Sequence, residues 1–386
     1  MSAPDFGGAL RDRFATFRAR AYFATHGFGP LLLQTLADLD DYRRSLALRN
    51  RAVETWYGRV LEMRELIAQL IGAGGDEIAL GPNATACQAS FAAALVPRGA
   101  RDAIVTTDLD FPSSRYLWRA QVRRGFRIVD VPSRDGIAFP VDDLVAAIDE
   151  RTAVVTLPLV AYSNGALLDA ARIVAAAHAH GALVVLDAYQ AAGIVPIDAH
   201  ALGADALVAG TNKWLSSPST GLAFLYVARA VAERLEPAFP GWFGHADPLA
   251  FADDYVPAPG ARRFELGAPA VDAIYGARAG IRFALEVGVP RLHARSQELC
   301  DRLIAGADGL GIRLTTPRAR AARGGMVCFD LPDPDRVVDD LAARAIDVDT
   351  RPGIGMRMSC HPCNSDADCD RLLGAIAELH HARAAS

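Results

Sequence analysis

From about residue 76 to 227 the chain alternates short apolar runs with longer, alanine-rich segments whose apolar positions follow a helical period. "AIVTTD" (103–108), "FRIVDVP" (126–132), "TAVVTLPLV" (152–160), "ALVVLD" (182–187) and "DALVAG" (205–210) predict the strands of a parallel sheet joined by crossover helices. "VDDLVAAIDE" and "DAARIVAAAHAHG" carry the helical pattern between them. The second stops at Gly181, a residue free to take the left-handed conformation past a helix end. Strand and helix in alternation predict an α/β fold, a large and mainly parallel, doubly wound sheet with helices on both faces. Such sheets bind ligands beyond the carboxyl ends of their strands, so chemistry is expected there.

Around "FPGWFGHADPLAFADDYVPAPGARRFELGAP" (239–269) the alternation stops, and Pro, Gly and aromatic residues predict a long structured connection followed by a helix. From about residue 290 helices flank weaker strand candidates, "RGGMVCFDLP" and "IDVDTRP", which predicts a smaller α+β C-terminal domain. The expected organisation has three parts. Residues 1–45 contribute to the small domain and the active-site edge, 46–280 form the large ligand-binding domain, and 281–386 form the small domain.

At 386 residues and 51% hydrophobic composition the chain has material for a large core. Its net charge of -5, with both signs interspersed, leaves no basic stripe, so no nucleic-acid partner is expected. No run has the length and apolarity of a membrane span, and "MSAPDFGGALRDRF" carries charges and glycines where a secretory signal needs an apolar core. The expected compartment is the cytoplasm, with no membrane partner. Six cysteines, at 87, 300, 328, 360, 363 and 369, are too few and too unevenly spaced for a disulfide framework. Cys360-His361-Pro362-Cys363 has the shape of half a zinc site or a redox pair, but no second pair completes it, and no metal is expected.

Asp187 closes "ALVVLD" and Lys213 lies three residues beyond "DALVAG", so both side chains reach one edge of the sheet. An ion pair capping two strands is one reading of such a couple. In "GPNATACQASFAAALV" (81–96) Asn83 is an N-cap, and the helix behind it presents the N–H groups of Ala84, Thr85 and Ala86, as a plainly capped helix or as an anion site. Phe111, in "DLDFPSSRY", follows the next strand, as core or as a plate for a flat ligand. Taken together, these groups are what pyridoxal 5'-phosphate requires. An amine forms the Schiff base, an acid keeps the pyridine nitrogen protonated, free N–H groups hold phosphate and a ring fixes the plane.

The same stretches resemble the class V branch of fold-type-I pyridoxal-phosphate enzymes over nearly the whole chain, and look most like kynureninase. "DFPSSRY" is similar to that family's Asn-Phe-Pro-Thr-Asp-x-Tyr, "TNKWL" to its Ser-Tyr-Lys-Tyr-Leu, and "GWFGH" matches its wording. "RFELGAPAV" resembles its Arg-Phe-x-x-Gly-Thr-Pro-Pro, and "RPGIGMRMSCHPCN" its late arginine segment. The resemblance implies that Lys213 is the Schiff-base lysine, Asp187 the pyridine-nitrogen partner and Phe111 the stacking ring. It implies that Ala84, Thr85, Thr211 and Trp242 hold the phosphate, with Asn212 beside them, and that Asn164 and Gln190 reach the phenolic oxygen. Arg357 would grip the substrate carboxylate, with Arg351 as its competitor; outside the resemblance either arginine reads as a surface charge. A two-fold homodimer with shared active sites is implied as well, "GWFGH" and "RFELGAP" being the stretches expected to reach the other subunit.

Several positions depart from the kynureninase pattern. Asn212 stands where that family has a phosphate-binding Tyr, Tyr189 replaces a small residue, and Ala268 replaces Thr or Asn. "YFATHGFGPLL" departs from its Asn-Ser-Leu-Gly opening and offers His26, as a substrate contact or a packed imidazole. The expected activity is a kynureninase-like cleavage at the β-carbon of an α-amino acid, by Cβ–Cγ hydrolysis or β-elimination. Other class V activities (C–S lysis, epimerisation, transamination) and a non-enzymatic scaffold are the alternatives.

Overall fold

The computed structural model describes residues 5–384. Its centre is a seven-stranded sheet of β1 (Ile78–Gly81), β2 (Ala103–Thr106), β3 (Arg127–Asp130), β4 (Thr152–Pro158), β5 (Leu183–Asp187), β6 (Ala206–Gly210) and β7 (Ala223–Val227). Across the sheet they run β1-β7-β6-β5-β4-β2-β3. β7 is antiparallel to both its neighbours, and the other pairings are parallel. Parallel neighbours need crossovers, supplied by helices at Pro112–Ala120, Val141–Ala146, Ala170–Ala179 and Ala199–Leu202. Because helices cover both faces, β6 has no exposed position. Alternate residues feed two clusters, Leu157, Leu186 and Leu207 on one face and Val154, Val185 and Val208 on the other.

"FRIVDVP" forms the edge strand β3, whose Arg127 and Asp130 are exposed. The sheet is mainly parallel as expected, with β7 as its antiparallel member, because the loop after β6 turns the chain back into β7 with no helix between them. Elsewhere the pattern and the elements agree closely. The helix Ala170–Ala179 ends with Gly181 at φ 70° and the Ala182 N–H bonded to Ala177 O, a left-handed cap.

The C-terminal part carries a four-stranded antiparallel sheet of β8 (Arg313–Leu314), β9 (Met326–Asp330), β10 (Asp349–Arg351) and β11 (Gly355–Ser359), in the order β10-β11-β9-β8. Val327, Phe329, Met356 and Met358 pack there against Leu303 and Leu372 of the helices Val289–Gly309 and Asp366–Ala384. The N-terminal segment joins this part through a parallel pair, Ala21–Tyr22 with Ile346–Asp347, before crossing to the large sheet. The helix Val271–Val287 leans on the Lys213 loop; a Cβ at Gly280 would strike the Leu215 carbonyl, so only glycine permits that approach. Among the described residues no helix is long and apolar enough to cross a membrane.

Candidate active site

A cavity of about 250 Å³ opens at the carboxyl edge of the large sheet. Its wall takes Ala84 and Thr85 from beyond β1, Asp110 and Phe111 from beyond β2, Tyr162 from beyond β4, Asp187, Tyr189 and Gln190 from the end of β5, and Lys213 from beyond β6. Strands of one direction deliver all of these, which is why residues far apart in sequence meet.

The Lys213 amine lies between two rings, 4.5 Å from the centroid of Tyr189 and 5.9 Å from that of Phe111. Burial lowers its pKa to about 8, against the attraction of Asp187. Both residues line the cavity, yet they form no ion pair, so the capping reading does not hold and the space between them is available to a ligand. Phe111 meets Tyr162 edge to face, centroids 5.1 Å apart. Burial raises the Asp187 carboxyl, and that rise is opposed by the Tyr189 N–H, 2.8 Å from Oδ1, and by the charge of Lys213. Oδ2 has longer contacts, from the Ser114 hydroxyl at 3.3 Å and the Gln88 amide at 3.4 Å.

At the helix Ala84–Ala94, Asn83 Oδ1 accepts the Ala86 N–H at 2.8 Å. Of the three N–H groups expected to be free, that one is consumed by its own cap, leaving those of Ala84 and Thr85 at the cavity.

Arg357 is buried on β11. Its Nε and Nη2 donate to Asp349 Oδ1 and Oδ2 at 2.8 and 2.7 Å, and Nη1 donates to Tyr162 O at 2.8 Å. A guanidinium has five N–H groups, so one on each terminal nitrogen remains, enough for a second carboxylate. Arg351 also reaches Asp349, at 3.0 Å, but its side chain is half exposed. His26 is buried with both ring nitrogens engaged, Nε2 with Asp349 at 2.6 Å and Nδ1 with Ser359 Oγ. It is thus engaged as a packed imidazole that holds the arginine's partner.

Four other expected residues have side-chain polar atoms engaged by the protein itself. Asn164 is buried, donating to Gly136 O and Ile137 O and accepting the Ala166 N–H, because it caps its own turn. The Thr211 hydroxyl donates to Leu222 O at 3.0 Å, tying the loop between β6 and β7. Trp242 stacks on Phe251 and donates to Pro248 O, within its own loop. Asn212 accepts the Tyr189 hydroxyl at 2.6 Å and donates to Gly27 O at 3.2 Å, so it anchors the N-terminal segment to the lysine loop. Asp110, Gln88, Ser114 and Asp349 were not singled out in the sequence. Gln88 had a signal, one helical turn beyond the Ala84–Thr85 helix start, and so did Asp110, which opens "DFPSSRY" where the kynureninase motif has Asn. Cys360 and Cys363 are both buried and unpaired.

The wall suits a phosphorylated pyridine on structural grounds. The amine of Lys213 and the N–H groups of Ala84 and Thr85 are uncommitted among the described residues, Gln190 Oε1 is buried without a partner, and Asp187 Oδ2 has only long contacts. Kinship points the same way. The chain is 32% identical to the kynureninase of Deinococcus radiodurans over 341 residues, 87% of this chain and 82% of that one. It is 31% identical to an uncharacterised aminotransferase, YcbU, of Bacillus subtilis over 316 residues, 82% of each chain. In three dimensions it resembles the apo cysteine desulfurase of Thermococcus onnurineus NA1, with TM-score 0.88 and 25% identity over 99% of this chain and 100% of that one. A C-DES mutant with glycine covalently linked to the PLP cofactor has TM-score 0.86 and 20% identity, over 97% of this chain and 100% of that one. The family model for aminotransferase class-V matches residues 34–368, and the chain therefore belongs to that family, whose cofactor is pyridoxal 5'-phosphate.

Proposed function

We propose that the protein cleaves a bond at the β-carbon of an α-amino acid, by Cβ–Cγ hydrolysis of the kynureninase kind or by β-elimination. The observation that carries this reading is the make-up of the cavity wall, where Lys213 and Asp187 share one space into which no thiol projects. When bound there, pyridoxal phosphate supplies an electron sink that makes an α-proton removable and a β-substituent cleavable.

The chain's own groups divide the remaining work. Lys213, with its pKa lowered to about 8, is unprotonated in a usable fraction near neutrality and takes the α-proton. Asp187 holds the proton of the ring nitrogen, Phe111 fixes the ring plane, Gln190 approaches the phenolic oxygen, and the N–H groups of Ala84 and Thr85 take the phosphate. The two remaining N–H groups of Arg357 take the α-carboxylate.

Transfer of sulfur through a protein persulfide is disfavoured. All six cysteines are buried, and burial pushes the thiols of Cys87, Cys328, Cys363 and Cys369 up to about 12. A shared two-fold dimer site fits the exposed apolar side chains of Trp242 and Leu266 in the two stretches expected to meet a partner, and of Phe239 and Phe251 nearby in the chain. Product analysis with kynurenine, hydroxykynurenine and cysteine conjugates tests the reading. Alanine plus a carboxylic acid indicates hydrolysis, and pyruvate plus ammonia indicates elimination. Consumption of a keto acid without cleavage would replace this proposal with transamination.

A further inference from the structure

Two carboxyl groups line the cavity, Asp187 and Asp110. Asp110 is 1% exposed. Its Oδ1 accepts the Phe111 N–H at 2.7 Å, and its Oδ2 is buried with no partner. The charged groups that bear on it are Asp187, which repels, and Arg115 on the helix Pro112–Ala120, which attracts without forming an ion pair; Lys213 stands on another part of the wall. Asp187 is far better supplied, with a backbone N–H, a hydroxyl and an amide directed at it. Two carboxylates confined to one buried space do not both ionise, and the proton settles on the one with fewer donors. Burial and then the charge of Asp187 push Asp110 well above the usual carboxylate range.

We propose that Asp110 is a positioning residue that enters the site as a neutral carboxylic acid. Its protonated Oδ2 leaves Asp187 the single anion at the cofactor ring, while Oδ1 fixes the backbone of Phe111. An uncharged amide has the same shape, and the kynureninase motif that this stretch resembles begins with Asn at this place. The inference rests on assigning Asp187 to the ring nitrogen, which Asp187 variants test separately.

The holoenzymes of the wild type, Asp110→Asn and Asp110→Ala decide it. If Asp110 is neutral, Asp110→Asn changes no charge, and the absorbance of the bound cofactor titrates with the wild-type midpoint. Its cofactor dissociation constant stays within about threefold of the wild type, whereas Asp110→Ala, which strands the Phe111 N–H, weakens binding by roughly tenfold. An acid shift of the Asn variant's midpoint by about one unit would mean that an anion had been removed, and would overturn the proposal. Carbon-13 spectra of aspartate-labelled wild type give a check that needs no variant. A carboxyl titrating above neutrality supports the proposal, and a set of aspartates all ionised below pH 6 refutes it.

Discussion

Asp349 grips Arg357 along one side of the guanidinium, leaving the far end of the fork for another carboxylate. Burial alone would raise the Asp349 carboxyl, but hydrogen bonds from His26 and Arg357 outweigh it and hold the group well below the usual range. Asp349→Ala leaves a buried cation without its partner. We expect a loss of about 3 kcal/mol in stability, read from urea unfolding, and a rise in KM of tenfold or more with kcat nearly preserved. A fall in kcat at unchanged KM would move Arg357 out of carboxylate binding.

Acid should unfold the protein early. Burial lowers the pKa of His26 to about 4 and that of His361 to about 3, against 6.5 for the unfolded chain. Below 6.5 the unfolded state therefore binds more protons, and stability falls as pH drops from about 6.5 towards 4. Each imidazole contributes on the order of 3 kcal/mol to that slope. His361→Gln should flatten the curve of melting temperature against pH in this window, and an unchanged slope would contradict the burial argument.

The apoprotein should capture its cofactor faster as pH rises towards about 8 and level off above it, since the neutral form of Lys213 is the nucleophile. Stopped-flow absorbance measures this directly. A plateau reached only near the ordinary lysine value of 10.5 would show that Lys213 is not desolvated. Lys213→Ala should abolish borohydride trapping.

Gly210 is the last residue of β6, and a Cβ there would collide with the Tyr189 ring and hydroxyl. Gly210→Ala should cost about 1–3 kcal/mol through overpacking and push Tyr189 off Asn212. Tyr189→Phe removes one hydrogen bond, about 1 kcal/mol, and keeps the ring beside Lys213. If Tyr189 limits the substrate, Gly210→Ala should change the ratio of kcat/KM between short and bulky amino acids more than Tyr189→Phe does.

The large sheet was legible because its central strands are buried and therefore written as continuous apolar runs. Phe111, Asp187 and Lys213 were legible because they stand just past those runs. β11 was not, since Arg357 interrupts its apolar pattern, and the alternation of strand with helix gave no place for the helix-free return into β7. Asn164, Thr211 and Trp242 were expected at the cofactor on motif position alone; in the structure Thr211 and Trp242 bond within their own loops, and Asn164 ties its turn to the loop at Gly136 and Ile137. Asp349 escaped notice because its significance lies in two partners that only the fold brings to it, His26 from the N-terminal segment and Arg357 from the neighbouring strand.

The pairing of β1 with β7 has a consequence for biogenesis. β1 leads into the helix whose first N–H groups face the cavity, but within the sheet it is hydrogen-bonded to β7 alone, a strand made much later in synthesis. On the ribosome β1 therefore has no strand to pair with until β7 emerges, so the edge of the large sheet from which the helix Ala84–Ala94 starts is the last to be hydrogen-bonded into place.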